Sequence, residues 1–327
     1  LRSRGLGDVY KRQGGSMRPE YYSDLYRRYS TYCRNYNGNV LFKIASGASD
    51  YDYDWTETLM KNIGHRMDGV SLHYYTVTGW SGSKGSATEF TDDDYYWTMG
   101  KCLEIEDVLK RHIAIMDKYD PKKQIALMVD EWGTWWDQEP GSIPGHLYQQ
   151  NTMRDAFVAS LSLDVFHKYT DRVKMTNIAQ IANVLQSMIL TKEDKMVLTP
   201  TYHVFEMYNV HQDATYLPLN LECNYKVVRD NREVPMVSAT ASRKDGVTHI
   251  SLSNVSLDEE QEITIKLDGE TLKSVSGRIL TSENIDDYNT FEKPNVVCPK
   301  EFKGAKISKN VLNVKLPAKS IVTLELK

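Results

Sequence analysis

No apolar stretch of the sequence approaches the ~18 residues that a membrane-crossing helix needs. The opening segment LRSRGLGDVYKRQ also lacks the apolar core of an export signal, so the expectation is a soluble, cytoplasmic chain without a membrane partner. Cysteine is scarce, with 4 in 327 residues, at positions 33, 102, 223 and 298. No C-x-x-C pair occurs, which excludes a zinc ribbon or dithiol redox motif and leaves buried free thiols as the expectation. The 8 histidines are scattered, without H-E-x-x-H or H-x-x-x-H spacing. Neither a metal nor another cofactor is therefore expected. Positive charge is not in excess: 40 basic against 44 acidic side chains give a net charge of -4. Because the two signs are interspersed, there is no basic stripe for nucleic acid.

Aromatic residues are plentiful, with 21 Tyr and 6 Trp. Many fall in YDYDW (51–55), HYY (73–75), DDDYYW (92–97) and EWGTWW (131–136). Such rings can be mere core, but here they alternate with Asp, Glu, Gly and Ser, which suits loops. Flat apolar rings beside carboxylates match a sugar, whose C–H faces stack while its hydroxyls are held by acceptors.

A chain of this length predicts two domains. Up to about residue 212 helices and strands alternate. Helices are read at 19–36, 54–63, 100–119, 148–169 and after Pro200, and strands at 39–46, 68–75, 124–131 and 173–184. In the helix at 100–119, Ile105, Val108, Leu109, Ile113 and Met116 form one apolar stripe, and Pro121 ends it. QIALMVDE (124–131) is nearly continuous in apolar residues, as in a strand covered on both faces. These repeated units predict a parallel α/β architecture. From about Cys223 short alternating strands with Asp-Gly turns take over, which predicts an antiparallel β-sandwich over 223–327.

Two connections, 76–99 and 132–146, are longer than a connection needs and follow the C-terminal ends of strands, the face where such folds place their sites. Glu131 ends the most apolar strand and is followed by Trp132. It is read as a nucleophile or general acid, or else Glu131 or Asp130 merely caps the loop or pairs with a base, and position alone weighs these alike. His73 and Tyr75, two apart on the strand at 68–75, face the same side. A tyrosine donating to a carboxylate would hold it ionised and oriented. Asn177 and Gln180 are amides able to read ring hydroxyls.

IALMVDEWGTWW (125–136), with DGVSLHYYT (68–76) before it and NIAQIANVLQSMI (177–189) after it, strongly resembles the α-L-arabinofuranosidases of glycoside hydrolase family 51. GGSMRPEYYSDLYRRYSTYCR (14–34) resembles the helix after that family's fourth barrel strand, and LPAKSIVTLELK (316–327) the last strand of its sandwich. The resemblance implies a (β/α)8 TIM barrel, of which this chain carries the C-terminal half, followed by an antiparallel β-sandwich. It implies retaining hydrolysis of terminal α-L-arabinofuranosyl residues from arabinan- and arabinoxylan-type glycans, and a homo-oligomeric full-length enzyme. It also implies Glu131 as nucleophile and Tyr75 as its contact, with neighbouring Tyr74 the other candidate. Trp135 would line the sugar pocket, Gln180 would bind arabinose hydroxyls, and His73 and Asn177 would line the same site.

One element departs from the family pattern. The acid/base glutamate belongs to an Asn-Glu pair shortly before the Gly-Gly-x-Met-Arg-Pro-Glu segment, and the sequence before Gly14 has no such pair. The expectation is therefore a C-terminal fragment, inactive alone, with residues 1–13 a non-native leader, 14–222 a partial catalytic barrel and 223–327 the sandwich. Alternatives are a β-xylosidase or endoglucanase of the same barrel clan, or a non-catalytic carbohydrate-binding protein.

Overall fold

Helix α1 (Pro19–Ser30) begins with a proline at its first turn, Glu20 near its N-terminus and Arg27 and Arg28 near its C-terminus, all matched to the helix dipole. It buries Tyr22 and Tyr26, one turn apart. A computed structural model describes this and the rest of residues 17–223, 225–269 and 271–327. The reading of residues 1–13 lies outside the described residues. The helix expected to reach residue 36 stops at Ser30, because Asn37 and Gly38 take φ of 52° and 78° in a tight turn that bridges Tyr36 to Asn39.

That turn delays the first strand, which runs over Ile44–Ser49 (β1) rather than 39–46. Three more parallel strands follow, β2 (Gly69–Thr76), β3 (Ala126–Thr134) and β4 (Val173–Ile178), in the order β1-β2-β3-β4. With their crossover helices they form the strand–helix pattern of half of an eight-stranded barrel. Gly47 is required where β1 crosses β2: a Cβ there would lie 1.5 Å from the carbonyl oxygen of Ser71.

Helix α2 (Tyr53–Ile63) is N-capped by Asp52. The helix expected at 100–119 is two helices, α3 (Asp92–Leu103) and α4 (Ile105–Tyr119). Helix α3 starts early because Thr91 and Asp94 cap each other's backbone N–H groups, while Asp92 and Asp93 sit in the positive first turn. The segment DDDYYW is thus a helix start and not part of a loop. Helices α5 (Met153–Lys168) and α6 (Pro200–Tyr208) complete the set. Among the described residues, no helix is long and apolar enough to cross a membrane.

The antiparallel strands form a six-stranded sheet, ordered Lys300–Glu301, Val275–Thr281, Ser320–Leu326, Val247–Asn254, Val237–Lys244 and Thr215–Tyr216. A three-stranded sheet joins Gln261–Ile265, Val311–Leu316 and Ala305–Ser308. Inward residues of both, among them Ile250, Leu252, Leu312, Val314, Val322 and Leu324, share one buried cluster, so the two sheets form a sandwich.

Contacts divide the chain into two compact units that interleave in sequence. The first holds the described residues up to Tyr75, Glu104–Trp132 and Tyr169–Ile178; the second holds Thr76–Leu103, Gly133–Lys168 and Ala179–Lys327. All four cysteines are free, but only Cys102 is buried as expected for the set; Cys33 is exposed, just beyond the end of α1, and Cys223 and Cys298 are partly exposed.

Candidate active site

In the first unit β2 is buried along its whole length, and its alternation sends His73 and Tyr75 to one face and Tyr74 to the other. Strand β3 does not end at Glu131, as the sequence suggested, but continues to Thr134. Its register against β4 slips there: Val129 pairs with Thr176 and Trp132 with Ile178, so β3 carries one extra residue between these points. On a regular strand Asp130 and Glu131 would point to opposite faces. The bulge re-aims them, and both carboxylates reach the same imidazole.

His73 Nδ1 is 2.9 Å from Glu131 Oε2, and His73 Nε2 is 3.2 Å from Asp130 Oδ1. Tyr75 donates its phenolic hydrogen to Glu131 Oε1 in a short hydrogen bond. Burial alone would push the His73 imidazole down, but its hydrogen bonds and charge interactions with Asp130 and Glu131 outweigh it and raise the pKa to about 10. At neutral pH the ring is therefore an imidazolium, ion-paired with both carboxylates. Burial, followed by the charge of Glu131, drives the Tyr75 phenol far above its ordinary value, so it stays a donor.

Glu131 thus has one oxygen facing a tyrosine hydroxyl and the other an imidazolium. Donors to both oxygens favour the charged form, which suits a nucleophile or an electrostatic stabiliser better than a proton donor. Asp130, read from the sequence only as a loop cap or the partner of a base, belongs to the cluster through His73. The bulge that turns it onto His73 depends on register with β4 and cannot be read from the sequence.

Asn177 lies on β4 in the same unit, one residue before Ile178. Gln180 lies beyond the end of β4, since the strand expected to reach residue 184 stops at Ile178. It is exposed, follows a cis peptide bond, and belongs to the second unit, as does Trp135. The Trp135 ring meets that of Trp80 edge to face at 5.7 Å, with Lys84 Nζ 5.7 Å from its centroid.

The two long connections are fixed inside the second unit. The Arg154 guanidinium lies 3.7 Å from the ring centres of both Phe90 and Trp136 and donates to the carbonyls of Ser86 and Ala87. Asp155 accepts from Thr134 Oγ1, Trp136 Nε1 and the Thr152 backbone. Among the aromatic residues of the first connection, Tyr95 is fully buried and donates to the carbonyl of Val255, a packing role. Trp80 is 54% exposed.

Comparison with known proteins gives consistent matches. The family described as alpha-L-arabinofuranosidase C-terminal domain matches residues 130–320. An intracellular exo-alpha-L-arabinofuranosidase of Bacteroides ovatus is 74% identical over the whole chain, which covers 64% of that protein. The crystal structure of the GH51 arabinofuranosidase from Xanthomonas axonopodis pv. citri superposes with a TM-score of 0.94 at 46% identity, covering 97% of this chain and 64% of that one. An arabinose complex of alpha-L-arabinofuranosidase from Thermotoga maritima shares the fold, with a TM-score of 0.78 at 22% identity over 98% of this chain and 64% of that one. The chain therefore spans just under two thirds of the length of these relatives.

Proposed function

Because the chain belongs to the α-L-arabinofuranosidases of glycoside hydrolase family 51, we propose that it serves the retaining hydrolysis of terminal α-L-arabinofuranosyl residues from arabinan- and arabinoxylan-type glycans. The observation that carries this reading is the Glu131 carboxylate, with one oxygen accepting from Tyr75 and the other paired with His73. Glu131 is the nucleophile and Tyr75 its orienting donor. His73 keeps the anion in place, and Asn177, on β4 of the same unit, is the amide that reads sugar hydroxyls. A retaining mechanism needs a second carboxyl ~5–5.5 Å from the nucleophile as acid and then base; none is assigned among the described residues.

The same reading takes residues 14–222 as barrel and 223–327 as sandwich; the antiparallel strands beyond α6 support the second, with Thr215–Tyr216 already paired into its sheet. It takes the protein as intracellular, as the name of the Bacteroides ovatus relative has it. The full-length enzyme is a homo-oligomer in this reading, a point for light scattering.

The nucleophile can be tested without acid assistance. An arabinofuranoside with a good leaving group and a 2-fluoro substituent forms the glycosyl-enzyme but releases it slowly. Peptide mass spectrometry should find the adduct on Glu131, and the Glu131→Gln chain should stay unlabelled. A label on another carboxylate would overturn the assignment. In parallel, aryl α-L-arabinofuranosides should be cleaved in preference to aryl β-xylosides and β-glucosides.

A further inference from the structure

The apolar stripe of α4 contains one polar residue, His112, seven positions after Ile105 and so on the buried face. It is completely buried, and both ring nitrogens are used. Thr56 Oγ1 of α2 lies 2.8 Å from Nδ1, and the carbonyl oxygen of Asp50 lies 2.9 Å from Nε2. Since a carbonyl can only accept, Nε2 carries the hydrogen, and Nδ1 accepts from the threonine hydroxyl. Burial pushes the imidazole down to about 4, against the opposing pull of the Asp50 carbonyl and the charge of Asp52, so this neutral tautomer holds across the physiological range.

Asp50 follows the last residue of β1 and takes φ of 50°, a left-handed backbone. Its N–H donates to the carbonyl of His73 at 2.9 Å, and Ser49 pairs in register with His73. The carboxylate of Asp50 is also close enough to Tyr75 to help raise its pKa. A continuous chain of hydrogen bonds thus runs from Thr56 through His112 and Asp50 to the main chain of His73. Every member lies in the first unit.

We propose that His112 is a positioning residue for the Glu131 site: its neutral imidazole fixes the Asp50 peptide, which fixes the height of His73 on β2 and so the approach of the His73 ring to Asp130 and Glu131. Apolar packing alone does not account for the arrangement, because a leucine in the α4 stripe would fill the space but leave the Asp50 carbonyl without this donor. Asp50 holds its left-handed turn between two hydrogen bonds, one to each side. The proposal rests on reading the Glu131 cluster as the reacting site, but its test does not.

The test is the titration of His73, followed by NMR in the 327-residue chain with labelled histidine. The charged groups facing its ring are Asp130 and Glu131. In His112→Ala the His73 midpoint should fall by roughly one pH unit, a tenfold change in its protonation equilibrium. His112→Gln, which keeps a donor for the Asp50 carbonyl, should restore it to within a few tenths of a unit. Thr56→Val, a near-isosteric change that removes only the hydroxyl, should move it part of the way and keeps the test decisive should the alanine variant not fold. An unmoved midpoint in Thr56→Val and His112→Ala, or equal shifts in the alanine and glutamine variants, would overturn the proposal. Failure of the labelling experiment on Glu131 would leave this titration unaffected, so the two readings fail separately.

Discussion

His73 Nδ1 lies 2.9 Å from Glu131 Oε2, in a cluster where the imidazole gains more from two carboxylates than it loses by burial. A histidine whose pKa rises from about 6.5 unfolded to about 10 folded binds its proton more tightly in the native state. Its stabilisation is complete below the unfolded value and declines as pH rises toward 10, by up to about 1.4 kcal/mol per pH unit. Urea unfolding between pH 7 and 10 should record this loss, and His73→Asn should flatten the curve over the same window. A wild-type curve already flat there would contradict the paired imidazolium.

Tyr75 is the second donor to Glu131. In Tyr75→Phe the ring still packs, but one oxygen of the carboxylate loses a charge-assisted hydrogen bond of about 1.5–3 kcal/mol. Turnover in the full-length enzyme should fall roughly ten- to a hundredfold. Because the lost donor favoured the anion, the acid limb of the pH–rate profile should move upward. A drop in rate with an unmoved acid limb would assign Tyr75 to substrate contact instead.

The parallel half-barrel and the sandwich were legible in the sequence because their signals are repeated: alternating helices and strands up to about residue 212, an apolar run at 124–131, a helical stripe at 105–116, and Asp-Gly turns beyond residue 223. The pairing of Glu131 with Tyr75 was legible for the same reason, strand alternation on β2. Three features were not. The β3 bulge that turns Asp130 onto His73 depends on register with β4, which no local pattern encodes. The start of α3 at Asp92 was masked by aromatic residues that resemble a binding loop, although Thr91 and Asp94 carried the capping signal. His112 carries no local signal, because its partners, Thr56 and the Asp50 carbonyl, are distant in sequence.

Trp80 and Tyr95 separate binding from packing within the second unit. Trp80 is 54% exposed, with its ring against Trp135, whereas Tyr95 is enclosed by Tyr96 and Phe157. Trp80→Ala should raise KM for polymeric arabinan several-fold more than for a small aryl arabinofuranoside, because stacking beyond the terminal sugar is lost. Tyr95→Ala should instead cost about 3–5 kcal/mol of stability and affect both substrates alike. Equal effects of Trp80→Ala on the two substrates would make it a structural residue too.

Asp164 on α5 is completely buried, accepting from Ser238 Oγ at 2.6 Å and Tyr208 Oη at 3.0 Å, and burial raises its pKa to about 7. In the same unit His167 is pushed down to about 4 and His211 to about 3, again by burial. His211 lies between Ser242 and Ser251 hydroxyls, and His167 is hydrogen-bonded with Thr240. Between about pH 6.5 and 4 unfolding lets both histidines take up protons, which favours the unfolded state, while Asp164 releases one, which opposes it. His112 of the first unit is likewise held down to about 4 by burial, so the histidines outweigh Asp164 and stability should fall on acidification. Asp164→Asn removes the opposing group and should steepen this slope by up to about 1.4 kcal/mol per pH unit. At pH 8 the same variant should match or exceed the wild type in stability, because it no longer has to ionise a buried carboxylate. Urea denaturation followed by tryptophan fluorescence from pH 4 to 8 measures both effects, and an Asp164→Asn slope equal to the wild type would show that Asp164 does not hold its proton in the folded chain.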